Sequence, residues 1–139
     1  MKILIDTNVF IDIVLDRPSF VVAAKRVYKL CEGGLLDGYI APMSINNIYY
    51  LSRKTKHVDE IKNFLFNLSH SFAMAPLDHD TIKLANSLRM KDYEDALQYA
   101  MAMQNGCRML VTRNGRDFTH DGGVEVVDPE ELIERISRA

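Results

Sequence analysis

The sequence predicts an α/β protein in which a mainly parallel five-stranded sheet carries helices on both faces. Five short apolar runs are spaced along the chain, and segments with the periodicity of amphipathic helices separate them. The apolar runs do not alternate strictly with polar residues, which is typical of strands that are buried on both faces. Strands that alternate with helices favour parallel pairing through right-handed crossovers.

The positions of the strands follow from where the apolar runs begin and end. The predicted strands cover residues 2–5, 38–41, 72–75, 109–112 and 124–127. Two helices, rather than one, fit between the second and the third strand. No internal repeat or low-complexity linker interrupts the sequence, so we expect a single domain over residues 1–139.

The first three helices are predicted from the spacing of their apolar residues. Residues 19–32 have a two-faced pattern that ends at a pair of glycines. A second helix starts near Ser44. A third covers residues 59–69, where apolar side chains recur at positions i, i+3, i+4 and i+7.

The last three helices are predicted from residues that are typical of helix ends. Asp78 stands at an N-cap position before the fourth helix. The fifth helix covers about residues 92–105 and is followed by Gly106, a residue type that favours the C′ position. The sixth helix follows Asp128 and has Pro129 in its first turn.

The composition is ordinary for a globular protein. Hydrophobic residues make up 47% of the 139 residues, charged residues make up 26%, and the net charge is −2. A charge this close to neutral excludes a global attraction to nucleic acid, so any RNA contact needs a local basic patch. Cys31 and Cys107 lack the spacing of metal ligands, and no run resembles a signal peptide or a bilayer span. We therefore expect a cytoplasmic protein with reduced thiols and no membrane segment.

Acidic side chains are expected to gather at one edge of the sheet. Asp6 directly follows the first predicted strand, and Asp117 comes shortly after the fourth. Asp92 and Asp95 begin the fifth helix and share one face because they are three residues apart. Ligands of parallel sheets bind outside the carboxyl ends of the strands. We therefore expect Asp6, Asp95 and Asp117 to converge there, with Asp92 close by.

A divalent metal ion would explain such a group of carboxylates. Like charges in one cleft raise each other's pKa values, and Mg²⁺ or Mn²⁺ relieves the repulsion through oxygen ligands. The acids therefore suggest metal-assisted attack of water on a phosphodiester. Each acid viewed alone also has a structural explanation. Asp6 fits a helix cap and Asp117 fits a loop ion pair, while Asp92 and Asp95 suit the macrodipole at a helix start.

Three stretches carry a family resemblance: ILIDTNVFID at 3–12, DYEDALQYAMA at 92–102 and LVTRNGRDF at 110–118. In these stretches the chain resembles the PIN-domain nucleases, in particular the VapC-type toxins of bacterial toxin–antitoxin pairs. The order of strands and helices agrees over nearly the whole chain. The resemblance implies a three-layer α/β/α sandwich and RNA cleavage that depends on Mg²⁺ or Mn²⁺.

The resemblance also implies roles for individual residues. Asp6, Asp95 and Asp117 correspond to metal ligands, and Asp92 is an additional catalytic acid one turn earlier. Asn8 corresponds to a residue that orients Asp6. The predicted supporting polar residues are Asn8, Asn47, Thr112 and Asn114.

One position departs from the family pattern. PIN-domain nucleases usually have a glutamate in the helix after the second strand, about three residues after a serine or threonine. The corresponding stretch here is SINNIYYLSRK, and Asn47 stands at that position. An amide oxygen carries no charge and cannot act as a base. The number of metal ions therefore stays open, as does the alternative of a degenerate PIN domain that binds RNA or a protein without catalysis.

The remaining expectations concern basic residues that could bind RNA and the protein partners of the chain. Arg53, Lys54 and Arg113 are candidates for contacts with RNA phosphates, although solvated surface charge is the commoner explanation of such residues. The resemblance implies a homodimer and an antitoxin partner. A phosphotransfer protein with Asp6 as nucleophile is another enzyme class, but it would need a second aspartate where Asn8 stands.

Overall fold

A computed structural model gives the fold and describes residues 1–118 and 122–138. Among these residues, five strands form one sheet in which every pairing is parallel. The strands are β1 (Lys2–Ile5), β2 (Asp37–Ile40), β3 (Ala73–Met74), β4 (Met109–Val111) and β5 (Glu125–Val127). Their order across the sheet is β3-β2-β1-β4-β5, so the prediction of a parallel five-stranded sheet is confirmed.

Seven α-helices join the strands within the described part of the chain. They are α1 (Thr7–Val14), α2 (Val21–Glu32), α3 (Pro42–Ser52), α4 (Val58–Ser71), α5 (His79–Ser87), α6 (Tyr93–Gln104) and α7 (Pro129–Arg138). Six of them match the predicted helices to within a few residues, and α3 and α4 both lie between β2 and β3 as expected. In the described ranges, none of these helices has the length and apolar character needed to cross a bilayer.

Helix α1 is the element that the sequence did not predict. Its sequence, TNVFIDIV, is mostly apolar and rich in β-branched residues, which favour strands. A short apolar run has no clear period, so its spacing does not distinguish a helix from a buried strand. In the fold Val9, Phe10 and Ile11 are buried, and Asp6 caps the first turn.

The side chains of the sheet fill two cores, one on each face. Along β1, Ile3 and Ile5 belong to one core and Leu4 belongs to the other. Residues of α1 to α4 and of α7 pack in the first core, and residues of α5 and α6 pack in the second. The molecule is therefore a three-layer α/β/α sandwich, as the resemblance implied.

The order of the strands produces a binding edge next to β1. The chain runs from β1 outward through β2 and β3, and then returns to the other side of β1 as β4. Ligands of open parallel sheets bind at such a reversal. The backbone N–H of Asp6 donates to the carbonyl of Val111 at 2.9 Å, so the pairing of β1 with β4 continues to Asp6 itself.

Candidate active site

Asp6 lies between β1 and α1 and is 7% exposed. Its backbone is extended, with φ −69° and ψ 151°, and its Oδ1 accepts a hydrogen bond of 2.7 Å from the backbone N–H of Thr7. Asp6 is therefore the N-cap of α1, which is the structural explanation expected for a lone aspartate. The cap also fixes the direction in which the carboxylate leaves the backbone.

Three side chains, together with the backbone N–H of Thr7, give the Asp6 carboxylate four hydrogen-bond donors. Gln98 Nε2 donates to Oδ1 at 2.7 Å, and Thr112 Oγ1 donates to Oδ2 at 2.7 Å. Asn8 Nδ2 donates to Oδ2 at 3.2 Å. Each oxygen accepts two hydrogen bonds, which hold the carboxylate in one orientation. The structure thus brings Asn8 and Thr112 to Asp6, together with Gln98, which the sequence reasoning missed.

The turn after β4 is tied to the same carboxylate. Thr112 Oγ1 accepts a hydrogen bond of 3.1 Å from the backbone N–H of Asn114. Asn8 Oδ1 accepts one of 3.4 Å from the backbone N–H of Arg113. Asn114 therefore takes part through its backbone in the contacts that hold this turn against Asp6.

Helix α6 presents two of the predicted acids. Asp92 is the N-cap, and its Oδ1 accepts a hydrogen bond of 3.0 Å from the N–H of Asp95. Burial raises the pKa of Asp95 to about 7, and nearby negative charges act in the same direction. These charges belong, in decreasing order of effect, to Asp92, Asp6, Asp117 and Glu94. The acids that the sequence placed at this edge therefore repel one another.

An open cleft of about 460 Å³ lies beside these acids. Its acidic lining consists of Asp92, Asp95 and Asp117. Its basic lining consists of Arg89, Lys91 and Arg116, which were not singled out from the sequence. The cleft thus combines mutually repelling carboxylates with side chains that attract phosphate.

Glu94 is a further acid beside the site that the sequence reasoning passed over. Asn47 Nδ2 donates to Glu94 Oε1 at 2.7 Å and so links α3 to α6. Burial raises the pKa of Glu94, repulsion from Asp6 and Asp92 adds to the rise, and the hydrogen bond from Asn47 partly offsets it. Glu94 drew no attention because any acid at a helix start suits the macrodipole.

Arg113 has an intramolecular partner that the sequence did not reveal. Its Nε and one terminal nitrogen donate to Asp12 at 2.5 Å and 3.1 Å, and Asp12 is 1% exposed. Arg17 also donates to Asp12, at 3.2 Å. The Arg113 guanidinium lies 4.3 Å from the ring centroid of Phe20. This guanidinium therefore holds α1 against the turn after β4, and the RNA contact expected of it stays a prediction.

Arg53 and Lys54, the other predicted RNA-binding residues, are exposed just after α3. The Arg53 guanidinium lies 4.7 Å from the ring centroid of Tyr50, which is itself exposed. Both cations are accessible to a polyanion, and their contact with RNA remains a prediction.

The sequence profile of the PIN domain matches residues 2–116 of the chain. The chain belongs to the PIN domain family. The matched region contains every predicted site residue except Asp117, which lies one residue beyond it.

Individual proteins are similar to this chain over nearly its whole length. "Ribonuclease VapC1" of Aquifex aeolicus (strain VF5) is 27% identical over an alignment of 138 residues that covers 96% of this chain and 94% of that protein. VapBC2 from Rickettsia felis, bound to a promoter DNA fragment, superposes with a TM-score of 0.71 at 15% identity, covering 92% of this chain and 98% of its own. A toxin–antitoxin complex from Klebsiella pneumoniae gives a TM-score of 0.70 at 24% identity, with coverages of 91% and 96%.

The donor atoms of this PIN domain fit a hard divalent cation. Mg²⁺ and Mn²⁺ prefer oxygen ligands, and Asp95 and Asp117 offer carboxylates. Asp6 offers a third once an ion displaces one of the four donors that its two oxygens accept from. Within residues 1–118 and 122–138, no three Asp, Glu, His or Cys side chains form a group that could hold an ion as they stand. Repulsion from neighbouring carboxylates adds to the effect of burial on the pKa of Asp95, and a bound cation would relieve that repulsion.

Proposed function

We propose that this PIN domain is a metal-dependent endoribonuclease and the toxin of a toxin–antitoxin pair. The observation that carries the proposal is the cleft at the carboxyl edge of the sheet, where carboxylates lie beside basic side chains. Its lining includes Asp92, Asp95, Asp117, Arg89, Lys91 and Arg116. The relative from Aquifex aeolicus is named a ribonuclease, which supports the same activity here. The reaction is hydrolysis of RNA phosphodiester bonds.

Asp6, Asp95 and Asp117 would hold Mg²⁺ or Mn²⁺, with Asp92 as an additional acid of the site. When bound, such an ion polarises the phosphate and lowers the pKa of a coordinated water. The chain's own contribution is positioning. Asn8 and the other donors keep both oxygens of Asp6 in a fixed orientation, and Asp117 supplies a carboxylate that orients water from the turn after β4.

The basic residues beside the acids would bind the RNA backbone. Arg89, Lys91 and Arg116 line the same cleft as Asp95 and can contact phosphates on either side of the bond that is cut. A local patch is needed because the net charge of the whole chain is −2. Arg53 and Lys54 are candidates for further phosphate contacts.

We further propose that the protein forms a homodimer, binds an antitoxin protein and acts in the cytoplasm. The relatives from Rickettsia felis and Klebsiella pneumoniae are described as a VapBC assembly on DNA and as a toxin–antitoxin complex, which supports an antitoxin partner. Cys31 and Cys107 are buried free thiols that suit a reducing compartment, which supports the cytoplasm.

Cleavage of RNA by the purified protein tests the proposed activity. The assay compares the wild type with Asp6→Asn in Mn²⁺ or Mg²⁺, and each protein is also tested with EDTA. Asparagine caps a helix as well as aspartate does, so the variant should fold. We expect Asp6→Asn to lower the rate at least about 100-fold, the order typical of losing an electrostatic catalytic group.

A matched control separates the site from general effects of charge. Asp59 is an exposed acid in the first turn of α4, and Asp59→Asn should cleave RNA like the wild type. Equal cleavage by Asp6→Asn and the wild type would identify a contaminating nuclease. RNA binding without cleavage in either metal would favour the degenerate PIN domain.

A further inference from the structure

Glu94 carries a negative charge for which the described residues supply no cation. It is half-buried, and no lysine, arginine or histidine among the described residues forms an ion pair with it. An acid that served only the macrodipole would lie in solvent at the helix start, where its charge costs little. Glu94 instead turns toward α3 and accepts a hydrogen bond of 2.7 Å from Asn47. A partly desolvated charge without a partner is unfavourable unless a cation enters.

Glu94 lies on the face of α6 that contacts Asp6. Gln98 follows Glu94 by four residues and therefore lies on the same helix face. Gln98 contacts the Asp6 carboxylate, and Glu94 contacts Asn47 of α3. This face of α6 therefore brings Glu94 to the same side of the helix as the capping aspartate of α1.

A buried amide beside the same carboxylate lacks a donor. Gln98 is 1% exposed, and its Nε2 donates to Asp6 at 2.7 Å. The opposite orientation of this amide would turn Gln98 Oε1 toward a carboxylate oxygen, which is repulsive. Gln98 Oε1 has no hydrogen-bond partner among the described residues. A buried acceptor without a donor is unfavourable, and the water molecules of a hydrated cation are donors.

We propose that Glu94, positioned by Asn47, supplies an oxygen ligand to the divalent cation that Asp6 binds. The inference rests on the proposed function and adds a residue to its metal centre. Asn47 donates to one oxygen of Glu94 and leaves Oε2 without a hydrogen-bond partner in the described part of the chain. The carboxylate that the sequence lacks at position 47 is thus provided from α6, and the amide at 47 orients it.

Binding of Mn²⁺ to metal-free protein tests this inference without relying on catalysis. The electron paramagnetic resonance signal of free Mn²⁺ is titrated with the wild type, Glu94→Gln, Asn47→Ala and Asp6→Asn. We expect Glu94→Gln to weaken Mn²⁺ binding at least about tenfold and Asn47→Ala to weaken it less, as expected for a residue that only orients a ligand. Asp6→Asn should bind no Mn²⁺ at the site.

Thermal unfolding in EDTA shows whether a loss of binding reflects the metal site or the fold. Glu94→Gln removes repulsion from Asp6 and can still accept the hydrogen bond from Asn47, so its Tm without metal should equal or exceed that of the wild type. The matched control is Glu60→Gln, because Glu60 is an exposed acid in the first turn of α4. It should bind Mn²⁺ like the wild type.

The failures of the two proposals are distinguishable. Wild-type affinity for Mn²⁺ in Glu94→Gln, together with loss of binding in Asp6→Asn, would overturn this inference and leave the nuclease intact. If Glu94→Gln did not fold, Asn47→Ala would decide, and an unchanged affinity in that variant would overturn the inference. Absence of Mn²⁺ binding in the wild type would overturn both proposals.

Discussion

Replacing Asp95 by asparagine tests whether burial and the neighbouring acids at the sheet edge raise the pKa of this carboxyl. Burial, aided by the neighbouring carboxylates, raises the pKa of Asp95 from its ordinary value of 3.8 to about 7 in the folded protein. Between these two pH values the folded protein holds a proton that the unfolded chain has released. The free energy of unfolding therefore falls as the pH rises from about 4 to about 7, and the loss persists at higher pH.

The magnitude follows from the interval over which only the folded state is protonated. Each such pH unit costs ~1.4 kcal/mol of unfolding free energy. Of the range from about pH 5 to about pH 8, roughly 2 units lie below the folded pKa of about 7. The loss of unfolding free energy over this range is therefore at most ~2.7 kcal/mol. Asp95 is partly exposed, and solvent screening reduces the expected effect to ~1 kcal/mol. From the lower to the higher of these two pH values, the free energy of unfolding of Asp95→Asn should therefore rise by ~1 kcal/mol relative to that of the wild type.

Urea unfolding in EDTA at the two pH values measures this gain. Effects of the substitution that do not depend on pH cancel in the comparison, and Asp59→Asn serves as an exposed control that should show no gain. Adding Mg²⁺ should stabilise the wild type by mass action and leave Asp95→Asn unchanged. A stability difference between Asp95→Asn and the wild type that is the same at both pH values would refute the raised pKa of Asp95.

Two further substitutions test contacts that support the site. Arg113→Met should lower the free energy of unfolding by about 2 kcal/mol in urea titrations, because Asp12 is buried and would keep only its hydrogen bond from Arg17. A loss below about 0.5 kcal/mol would show that the ion pair between Arg113 and Asp12 contributes little. Tyr99→Phe should lower the free energy of unfolding by about 1–3 kcal/mol and speed hydrogen exchange at the Val124 N–H. The Tyr99 hydroxyl accepts a hydrogen bond of 3.3 Å from the N–H of Val124 and donates one of 3.1 Å to its carbonyl. Unchanged exchange at Val124 would contradict this role.

The strands and most of the helices were predictable because their signals are local. Strands buried on both faces are continuous apolar runs, as β1 and β4 show. Asp78 was recognisable as a cap and Asp92 as the start of a helix, and Gly106 adopts φ +68° after the C-cap of α6. Helix α1 was not predicted because its eight residues are mostly apolar and β-branched, a pattern that buried helices share with strands.

The convergence of the acids was predictable from topology, whereas their individual contacts were not. Asp6 and Asp117 follow neighbouring strands of a parallel sheet, so sequence order and fold class suffice to bring them to one edge. The pairing of Arg113 with Asp12 spans 101 residues, and nothing in either local sequence indicates that Asp12 is buried. Glu94 was hidden for a related reason, since its partner Asn47 is 47 residues away.

The hydrogen bonds of Asp6 set the earliest time at which the proposed nuclease site can be complete during synthesis. Its partners Gln98 and Thr112 are 92 and 106 residues further along the chain. Ribosomes add about 5–20 residues per second, so the last of these groups is made roughly 5–20 s after Asp6. During that interval a nascent chain lacks the complete site and should not cleave its own messenger. Truncated products that end before β4 should be inert for the same reason. If the proposed antitoxin is synthesised first, it is present before the proposed nuclease site is complete.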